Sequence, residues 1–412
     1  MILAEPHIDN IRKAFQQMES KEDLLALLNY AKTILYGDKA RPFALKNITY
    51  HSKHFPDRYE RFEIKKKNGG VRVIHAPQRG LKQIQKCLNI IFNAMFQPGE
   101  HAFGFVTGKS VVDNARKHTR MHYVYNIDLK DFFPSVEEKR IYVCLQLSPF
   151  KLSDSPSRKV LAHIISRLCC IELFEKKNAT EVPITKRKVL PQGAPSSPIL
   201  TNIVCQKLDW HLSKLANYYG LIYSRYADDI TFSSLHNVYG EDHKFISKLR
   251  EIIKKQGFTI NESKVRLQKS SFRQEVTGLT VNQKANVQKR YIQQLRSWLY
   301  KWERYGLVKA MNYFSKDYNK DQQHVLESKH NKSDPSMVNV IGGKLQYLRM
   351  VRGGEDELYK KLNDRFLKLT GNSKESNQQA DLLDQVLETI NLDSFEKGMD
   401  IYISKQNRNG PE

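Results

Sequence analysis

Apolar residues recur at helical spacing near the start of the chain. Leu24, Leu27, Leu28, Ala31 and Leu35 fall on one broad stripe of a helix. The preceding Ser20-Lys-Glu-Asp23 resembles a capping box, and Gly37 is a typical helix stop. This pattern predicts a helix over 21–35.

Strand and helix patterns then alternate. Segments 61–65 and 71–75 have the pattern of strands, and Lys66-Lys67-Asn68-Gly69-Gly70 between them is a hairpin signal. A helix over 80–97, a buried strand over 122–128 and a helix after Pro134 follow.

The middle of the chain predicts a long helix and a second hairpin. Ser196-Ser197-Pro198 is a typical helix start, and Gly220 ends that helix. Strands over 221–226 and 230–233 flank Ala227-Asp228-Asp229. Further predictions are a helix over 241–255, strands near 264–268 and 273–281, helical structure after 285, and a polar loop or weak linker over 315–336.

Composition narrows the class of protein. The 412 residues exceed one typical domain of about 100–200 residues, which favours two or three lobes. Hydrophobic residues make up 40%, which is too many for a disordered chain. No apolar run approaches the roughly 18–20 residues of a membrane span, and the first residues lack the pattern of a secretion signal. Five cysteines without CxxC pairs indicate reduced thiols in the cytoplasm.

Charge is unevenly distributed along the chain. The formal net charge is +23, from 67 Lys and Arg against 44 Asp and Glu. Residues 371–412 hold four basic and eight acidic residues, so the first 370 residues carry +27. A charge of this size favours a polyanionic partner such as nucleic acid; the alternative is a surface that only confers solubility.

Two carboxylate sites stand out because each follows an apolar strand. Asp128 ends one strand, and Asp228 and Asp229 lie between the two strands of the second hairpin. Burying a carboxylate is costly unless a cation meets it, although salt bridges or turn caps are the alternative. Three such carboxylates could bind two Mg²⁺ ions about 3.5–4 Å apart. In a basic chain, which could bind a nucleic-acid template, this arrangement indicates a nucleic-acid polymerase.

Three motifs in order resemble the palm of reverse transcriptases. Tyr226-Ala-Asp228-Asp229 is similar to the YxDD signature, 126–133 (NIDLKDFF) to the upstream aspartate motif, and 190–202 (LPQGAPSSPILTN) to the PQG motif of bacterial reverse transcriptases. The resemblance covers about residues 45–370. It implies an α+β, right-hand polymerase with fingers, a palm with an antiparallel sheet, and a helical thumb. Asp128, Asp228 and Asp229 would be both the catalytic residues and the metal ligands.

The same resemblance implies residues that bind the incoming dNTP. Phe133 lies five residues after Asp128 and would clash with a ribose 2′-OH, unless it is only a core residue. Gln192 and Gly193 would lie under the new base pair, or simply form a turn. The remaining candidates contact phosphate or are ordinary surface cations: Lys65, Arg72 and Lys264.

Two further strings resemble the retron group of reverse transcriptases. Residues 114–118 (NARKH) fit an NAxxH pattern, and Val276-Thr277-Gly278 fits a VTG pattern. If the likeness holds, Asn114, His118 and the VTG residues help hold the cognate RNA or the primer end. Otherwise Asn114 and His118 pair on one helix face, and Thr277-Gly278 is only a turn.

The predicted thumb has a basic and aromatic composition. From Lys284 to Lys332 there are eleven basic and four acidic residues, interleaved with aromatic side chains. Lys289, Arg290 and Arg296 are the candidates for RNA or primer contact. We expect Trp298 and Trp302 to belong to the thumb core instead.

Retron enzymes copy part of a dedicated non-coding RNA, starting from an internal 2′-OH, into a branched RNA–DNA hybrid (msDNA). The resemblance therefore implies a cognate RNA, its DNA product, dNTPs, a separate effector protein and antiphage defence, with no membrane. The alternatives are another bacterial reverse transcriptase, similar to group II intron enzymes, or a non-catalytic RNA-binding scaffold. The predicted organisation is an N-terminal helical segment (1–45), interleaved fingers and palm (46–285), thumb (286–370) and acidic tail (371–412).

Overall fold

Helices and strands alternate along the chain in this computed structural model, which describes residues 3–37, 39–53, 58–65, 70–175, 185–240, 243–326 and 336–371. The helices are α1 (Glu5–Gln17), α2 (Lys21–Tyr36), α3 (Leu45–Ser52), α4 (Arg79–Met95), α5 (Val111–Lys117), α6 (Glu138–Gln146), α7 (Pro156–Cys169), α8 (Ser197–Tyr218), α9 (Lys244–Lys255), α10 (Lys289–Leu326), α11 (Met337–Arg352) and α12 (Glu357–Thr370). The strands are β1 (Tyr59–Lys65), β2 (Val71–Pro77), β3 (Tyr123–Asp128), β4 (Ile171–Glu175), β5 (Thr185–Val189), β6 (Ile222–Tyr226), β7 (Asp229–Ser234), β8 (Arg266–Lys269), β9 (Glu275–Val276) and β10 (Leu279–Thr280).

The predicted N-terminal helix is confirmed together with its caps. The Ser20 hydroxyl accepts from the Asp23 backbone N–H, and the Asp23 carboxylate accepts from the Ser20 backbone N–H in return. Gly37 ends the helix with a φ of 78°, which suits glycine. The apolar face of α2 packs on α4 and joins the larger of two buried cores. Helices α1, α3 and α7 lie outside the elements that the apolar pattern predicted.

Strands β1 and β2 form the predicted antiparallel hairpin, in which Ile64 pairs with Arg72. Its residues are mostly exposed. A loop that carries the PQG motif holds the base of this hairpin, since the backbone N–H of His75 donates to the Gln192 carbonyl at 2.8 Å. The hairpin therefore connects directly to the centre of the molecule.

A four-stranded antiparallel sheet in the order β6-β7-β3-β8 lies at the centre. Helix α8 packs behind it, as predicted from its apolar face, and contributes Leu200, Ile203, Leu208 and Leu212 to the larger core. Ser196 is the N-cap of α8 by position but makes no capping bond with its side chain. The register of this sheet places the end of β3 beside the start of β7.

The second core belongs to the C-terminal helices. Helices α10, α11 and α12 pack around Trp298 and Trp302, which are 2% and 6% exposed, so the expectation that they are core residues is confirmed. Val276, Leu279 and Val281 join this core as well. Helix α10 contains a kink at Gly306, where φ is 74°.

The expectation of a loop over 315–336 is wrong for its first part. The chain stays helical to Leu326, because the polar residues continue a helix that is already packed on the second core. Residues 327–335 and the acidic tail after Gly371 lie outside the described residues. Within the described residues, we find no helix with the length and apolar character needed to cross a bilayer.

Candidate active site

The three candidate aspartates meet at one end of the central sheet. Asp128 is the last residue of β3 and Asp229 the first of β7, and the two are direct cross-strand partners. Asp228 immediately precedes Asp229, in the turn that connects β6 to β7. Its carbonyl accepts from the backbone N–H of Leu129 at 3.0 Å. Ala227 makes this tight turn possible with a φ of 57°. The fold therefore brings together residues that are 100 positions apart in the sequence.

The three aspartates differ in solvent exposure, since Asp128 is 7% exposed, Asp228 is half-buried and Asp229 lies at the surface. The protein packed around Asp229 still desolvates its carboxyl group, and this effect, followed by the neighbouring carboxylates of Asp228 and Asp128, raises its pKa to about 6. The pKa of Asp228 is also raised, mainly by burial, while Lys264 and Arg72 oppose the shift. Mutual repulsion of this kind is relieved by a cation, which favours a cation-binding role for the group.

Lys264 and Asn261 hold the Asp128 carboxylate. The Lys264 ammonium donates to Oδ2 at 2.8 Å, and the Asn261 amide donates to Oδ1 at 3.1 Å. Asn261 also donates its backbone N–H to the Asp128 carbonyl at 2.8 Å. Lys264 was predicted from the sequence as a cation that contacts phosphate, whereas Asn261, three residues earlier, was not predicted as a partner of Asp128.

The donor set suits a hard divalent ion, because it consists of carboxylate oxygens. As placed, no group of three or more His, Cys, Asp or Glu side chains in the described ranges is arranged to hold a metal. Both oxygens of Asp128 are already hydrogen-bonded to Lys264 and Asn261. The chemistry of the ligands therefore fits a metal ion, while their present hydrogen bonds would have to change.

Phe133 follows Asp128 by five residues and is half-buried. Its ring contacts the buried ring of Phe132, with centroids 5.6 Å apart, and the exposed ring of Phe105, with centroids 6.1 Å apart. Phe133 is therefore neither a fully buried core residue nor a free surface residue.

The PQG loop is fixed by a close backbone approach. Gly193 has a φ of 122°, and a Cβ atom there would lie 3.0 Å from the His75 carbonyl oxygen and 2.7 Å from Ile74. Gln192 is half-buried beside it. A side chain at position 193 would push the loop away from strand β2.

The candidate cations of the first hairpin are exposed at its far end. Arg72 is close enough to lower the pKa of Asp228 against the effect of burial, so the hairpin reaches toward the aspartates. Lys65 is also exposed, one position beyond the partner of Arg72 in the register. Lys66 and Lys67 lie outside the described residues.

Asn114 and His118 point into the protein. Asn114 is 1% exposed, and within the part of the chain that the structure describes neither its amide nitrogen nor its oxygen has a hydrogen-bond partner. His118 is fully buried between Ser224 and Ser233, each 2.7 Å from one ring nitrogen. Burial lowers the pKa of His118 to about 3, so the ring is neutral. The two side chains do not bond to each other, and their burial argues against direct contact with RNA.

Val276, Thr277 and Gly278 form a tight hairpin between β9 and β10. Val276 is fully buried, while Thr277 and Gly278 have φ values of 47° and 82°, as in a type I′ turn. The Thr277 hydroxyl donates to the Val111 carbonyl at 3.2 Å. The turn lines a cavity of about 260 Å³ with the start of helix α10.

The basic candidates on helix α10 are exposed. Lys289, Arg290 and Arg296 lie within its first eight residues, and Arg290 also lines the cavity beside Gly278. They are therefore placed at the surface where the palm and the C-terminal helices meet.

A buried ion pair supports the aspartate hairpin from behind. The Arg225 guanidinium donates to both oxygens of Asp209 at 2.7 Å, to the Asn202 amide oxygen at 3.1 Å and to the Ala227 carbonyl at 3.2 Å. Burial lowers the pKa of Arg225, but Asp209 outweighs this effect and the net shift is upward. This network was not predicted from the sequence, where its signal is a charged residue inside a strand pattern.

Comparisons with known proteins agree with this geometry. A family model described as reverse transcriptase (RNA-dependent DNA polymerase) matches residues 64–292. The chain is 33% identical over 295 residues to the retron Mx65 reverse transcriptase of Myxococcus xanthus (71% of this chain and 65% of that protein). It is 32% identical to the retron Mx162 reverse transcriptase of the same organism (67% and 56%) and 31% identical to the retron Ec86 reverse transcriptase of Escherichia coli (55% and 64%).

The chain thus spans less than two thirds of the length of these relatives. A solved telomerase from Candida albicans, in complex with a fragment of telomeric RNA, aligns with a TM-score of 0.40 at 10% identity, covering 82% of this chain and 70% of that one.

The predicted resemblance to retron-type reverse transcriptases is confirmed by these relatives, and the predicted α+β, right-hand polymerase fold is confirmed by the matched domain. Enzymes of this family generally use divalent metal ions, which the carboxylate donor set would suit. Because the family model matches more than half of the residues of this chain, the chain belongs to the reverse transcriptase (RNA-dependent DNA polymerase) family.

Proposed function

We propose that the protein is a retron RNA-directed DNA polymerase, which copies part of a cognate non-coding RNA into DNA. The observation that carries the proposal is the meeting of Asp128, Asp228 and Asp229 at one end of the central sheet. The net charge of +23 favours binding of the negatively charged template, primer and product strands.

Asp128, Asp228 and Asp229 are the proposed catalytic residues and would hold two Mg²⁺ ions. When bound, such ions lower the pKa of the attacking hydroxyl and stabilise the charge that develops on the triphosphate. The ammonium of Lys264 now neutralises Asp128, and its side chain is 58% exposed, so it is free to turn toward phosphate oxygens. Lys264 thus supplies positive charge for the leaving pyrophosphate.

The fingers hairpin and the PQG loop would bind the incoming dNTP. Arg72 and Lys65 contact its phosphates, for which the forked guanidinium of arginine is well suited. Gln192 and Gly193 lie under the new base pair, where the missing side chain of glycine permits close approach. The half-buried ring of Phe133 meets the sugar and excludes a ribose 2′-OH.

RNA and the primer end would bind where palm and thumb meet. The exposed Lys289, Arg290 and Arg296 contact phosphates, and the Val276–Gly278 turn presents its backbone to the strand. Asn114 and His118, being buried, serve this role by fixing the shape of the surface above them.

We propose that the protein shares the remaining properties of retron enzymes. Synthesis starts from an internal 2′-OH of the RNA and yields a branched RNA–DNA hybrid, which acts with a separate effector protein in antiphage defence. The division into an N-terminal segment, fingers and palm, thumb and acidic tail belongs to the proposal as well, with boundaries at 45, 285 and 370. A cytoplasmic location is supported by the five free cysteines.

The best test is the nucleic acid that purifies with the protein from cells that carry its own locus. We expect RNA covalently joined to DNA. RNase and DNase, applied separately, should therefore each shorten the same nucleic-acid molecule. Asp228→Ala should abolish the DNA and leave the RNA bound, because it removes a metal ligand without changing the basic surface. The matched control is Asp154→Asn, which changes an exposed carboxylate between α6 and α7 and should keep the DNA.

The outcomes separate the parts of the proposal. RNA without DNA in the unmodified protein would refute the polymerase activity. DNA without a 2′-linked branch would refute only the retron mode of priming. DNA that persists in the Asp228→Ala protein would show that the assignment of the metal ligands is wrong.

A further inference from the structure

The segment His101–Phe105 forms a loop that is tied to the aspartate hairpin through backbone hydrogen bonds. The Phe103 N–H donates to the Arg225 carbonyl, and the Arg225 N–H donates to the His101 carbonyl, both at 2.8 Å. Ala102 and Arg225 form a parallel bridge, so the loop extends the edge of the central sheet beside β6. It therefore moves with the strand that leads to Asp228.

Gly104 fixes the height of this loop above the hairpin turn. A Cβ atom at Gly104 would lie 2.3 Å from the Ala227 backbone nitrogen, a distance that real Cβ atoms do not adopt. The Asn202 amide donates to the Gly104 carbonyl at 3.0 Å from the other side. Backbone contact and hydrogen bond together leave the next residue little freedom of position.

That next residue is Phe105, which has an unusual conformation. Its φ is 61°, in the left-handed region that costs about 1–2 kcal/mol for residues other than glycine. Phe105 as a whole residue is 41% exposed, so core packing does not compensate for this cost. The conformation directs the ring to Phe133, with ring centroids 6.1 Å apart at an angle of 44°.

Phe133 is thus contacted by two rings of different character. Phe132 is buried, 4% exposed, and is itself stacked on Phe258 with centroids 5.7 Å apart. Phe105 is the exposed partner, and its backbone carbonyl accepts from the Asn202 amide at 3.4 Å. Because Phe133 is half-buried, it depends on such contacts to keep one orientation.

We propose that Phe105 is a positioning residue for sugar selection, which holds the ring of Phe133 in the orientation that excludes a ribose 2′-OH. The inference rests on the proposed function, in which Phe133 meets the sugar of the incoming nucleotide. It adds a residue outside the palm motifs, contributed by the loop that also contacts the aspartate hairpin.

The test compares the incorporation of dATP and ATP in steady state, on a primed RNA template, for the full-length protein. Phe105→Ala should lower the ratio of kcat/KM for dATP over that for ATP by about 3- to 10-fold, the effect of losing one aromatic pair. The change should come mainly from a lower KM for ATP, with kcat for dATP close to that of the unmodified protein. Phe105→Tyr keeps the ring and should restore the ratio.

Two further variants separate this role from a general loss of structure. Phe272→Ala removes a ring that is 73% exposed in the β8–β9 connection and should leave the ratio unchanged. Phe133→Ala should lower the ratio more than Phe105→Ala does. The double variant should then equal Phe133→Ala, because Phe105 acts through that ring.

Several results would overturn the inference. An unchanged ratio in Phe105→Ala, with a lowered ratio in Phe133→Ala, would refute the role of Phe105 and leave the proposed function intact. An additive double variant would mean that Phe105 contacts the sugar itself, contrary to a positioning role. An unchanged ratio in Phe133→Ala would remove Phe133 from sugar selection, and with it the basis of the inference.

Discussion

The buried pair of Arg225 and Asp209 should be among the most sensitive positions of the fold. The Arg225 side chain has no solvent exposure, and both Asp209 oxygens accept from it at 2.7 Å. Asp209→Asn keeps the shape of the side chain but removes the charge that compensates the guanidinium. We expect a loss of about 3–5 kcal/mol in the free energy of unfolding, the usual effect of leaving a buried charge unpaired.

The chain offers a matched control for this prediction. Arg250 also bonds both oxygens of one carboxylate, that of Glu262, but these side chains are 46% and 58% exposed. Water replaces a lost partner at such a site, so Glu262→Gln should cost at most about 1 kcal/mol. The two variants remove the same kind of pair and differ in burial.

The assay is urea denaturation followed by far-UV circular dichroism at pH 7, with midpoints converted to free energies through the measured slope. Asp209→Asn should also lower polymerase activity, because Arg225 donates to the Ala227 carbonyl in the turn next to Asp228. A cost for Asp209→Asn that is no larger than that of Glu262→Gln would refute the reasoning. It would mean that the site relaxes enough to admit water.

Two other predictions concern the same part of the palm. Gly104→Ala should displace the turn at Ala227 and reduce kcat strongly. The control is Gly99→Ala, which should keep normal activity because the added Cβ has no neighbour within 4 Å among the described residues. Equal activities of the two variants would contradict the close packing of Gly104. His118 is buried and neutral, with a pKa of about 3 in the folded protein against about 6.5 in the unfolded chain. The free energy of unfolding should therefore fall as the pH decreases from 6.5 toward 3, because in this range only the unfolded chain gains the proton. The unmodified protein should therefore lose about 1.4 kcal/mol per pH unit more than His118→Gln below pH 6, measured by urea denaturation at each pH, and parallel pH profiles would contradict the burial.

Local patterns were sufficient for most of the elements around the site. The capping box at Ser20, the hairpin signal before Val71 and the apolar face of α8 each depend on residues a few positions apart. Such short-range signals act within one turn of helix or one hairpin, so they can be recognised in a single sequence. The polar stretch after residue 315 was misinterpreted because its helix is stabilised by packing of the preceding turns, which local polarity does not reveal.

The candidate aspartates could be found because their motifs are local, and their partners could not. The Asn261 and Lys264 bonds to Asp128 join residues more than 130 positions apart. The pairing of Arg225 with Asp209, and the approach of Gly104 to Ala227, likewise depend on how α8 and the loop at His101 pack on the sheet.

By itself, the sequence determined the class of the protein: a basic, α+β chain with the aspartate, PQG and YADD motifs of a reverse transcriptase. Only the tertiary structure decided how exposed each motif residue is. It placed His118 between two serines inside the protein and left Phe105 exposed against Phe133. The physical reason is that burial is a property of packed elements, whereas a motif records only the order of residues along the chain.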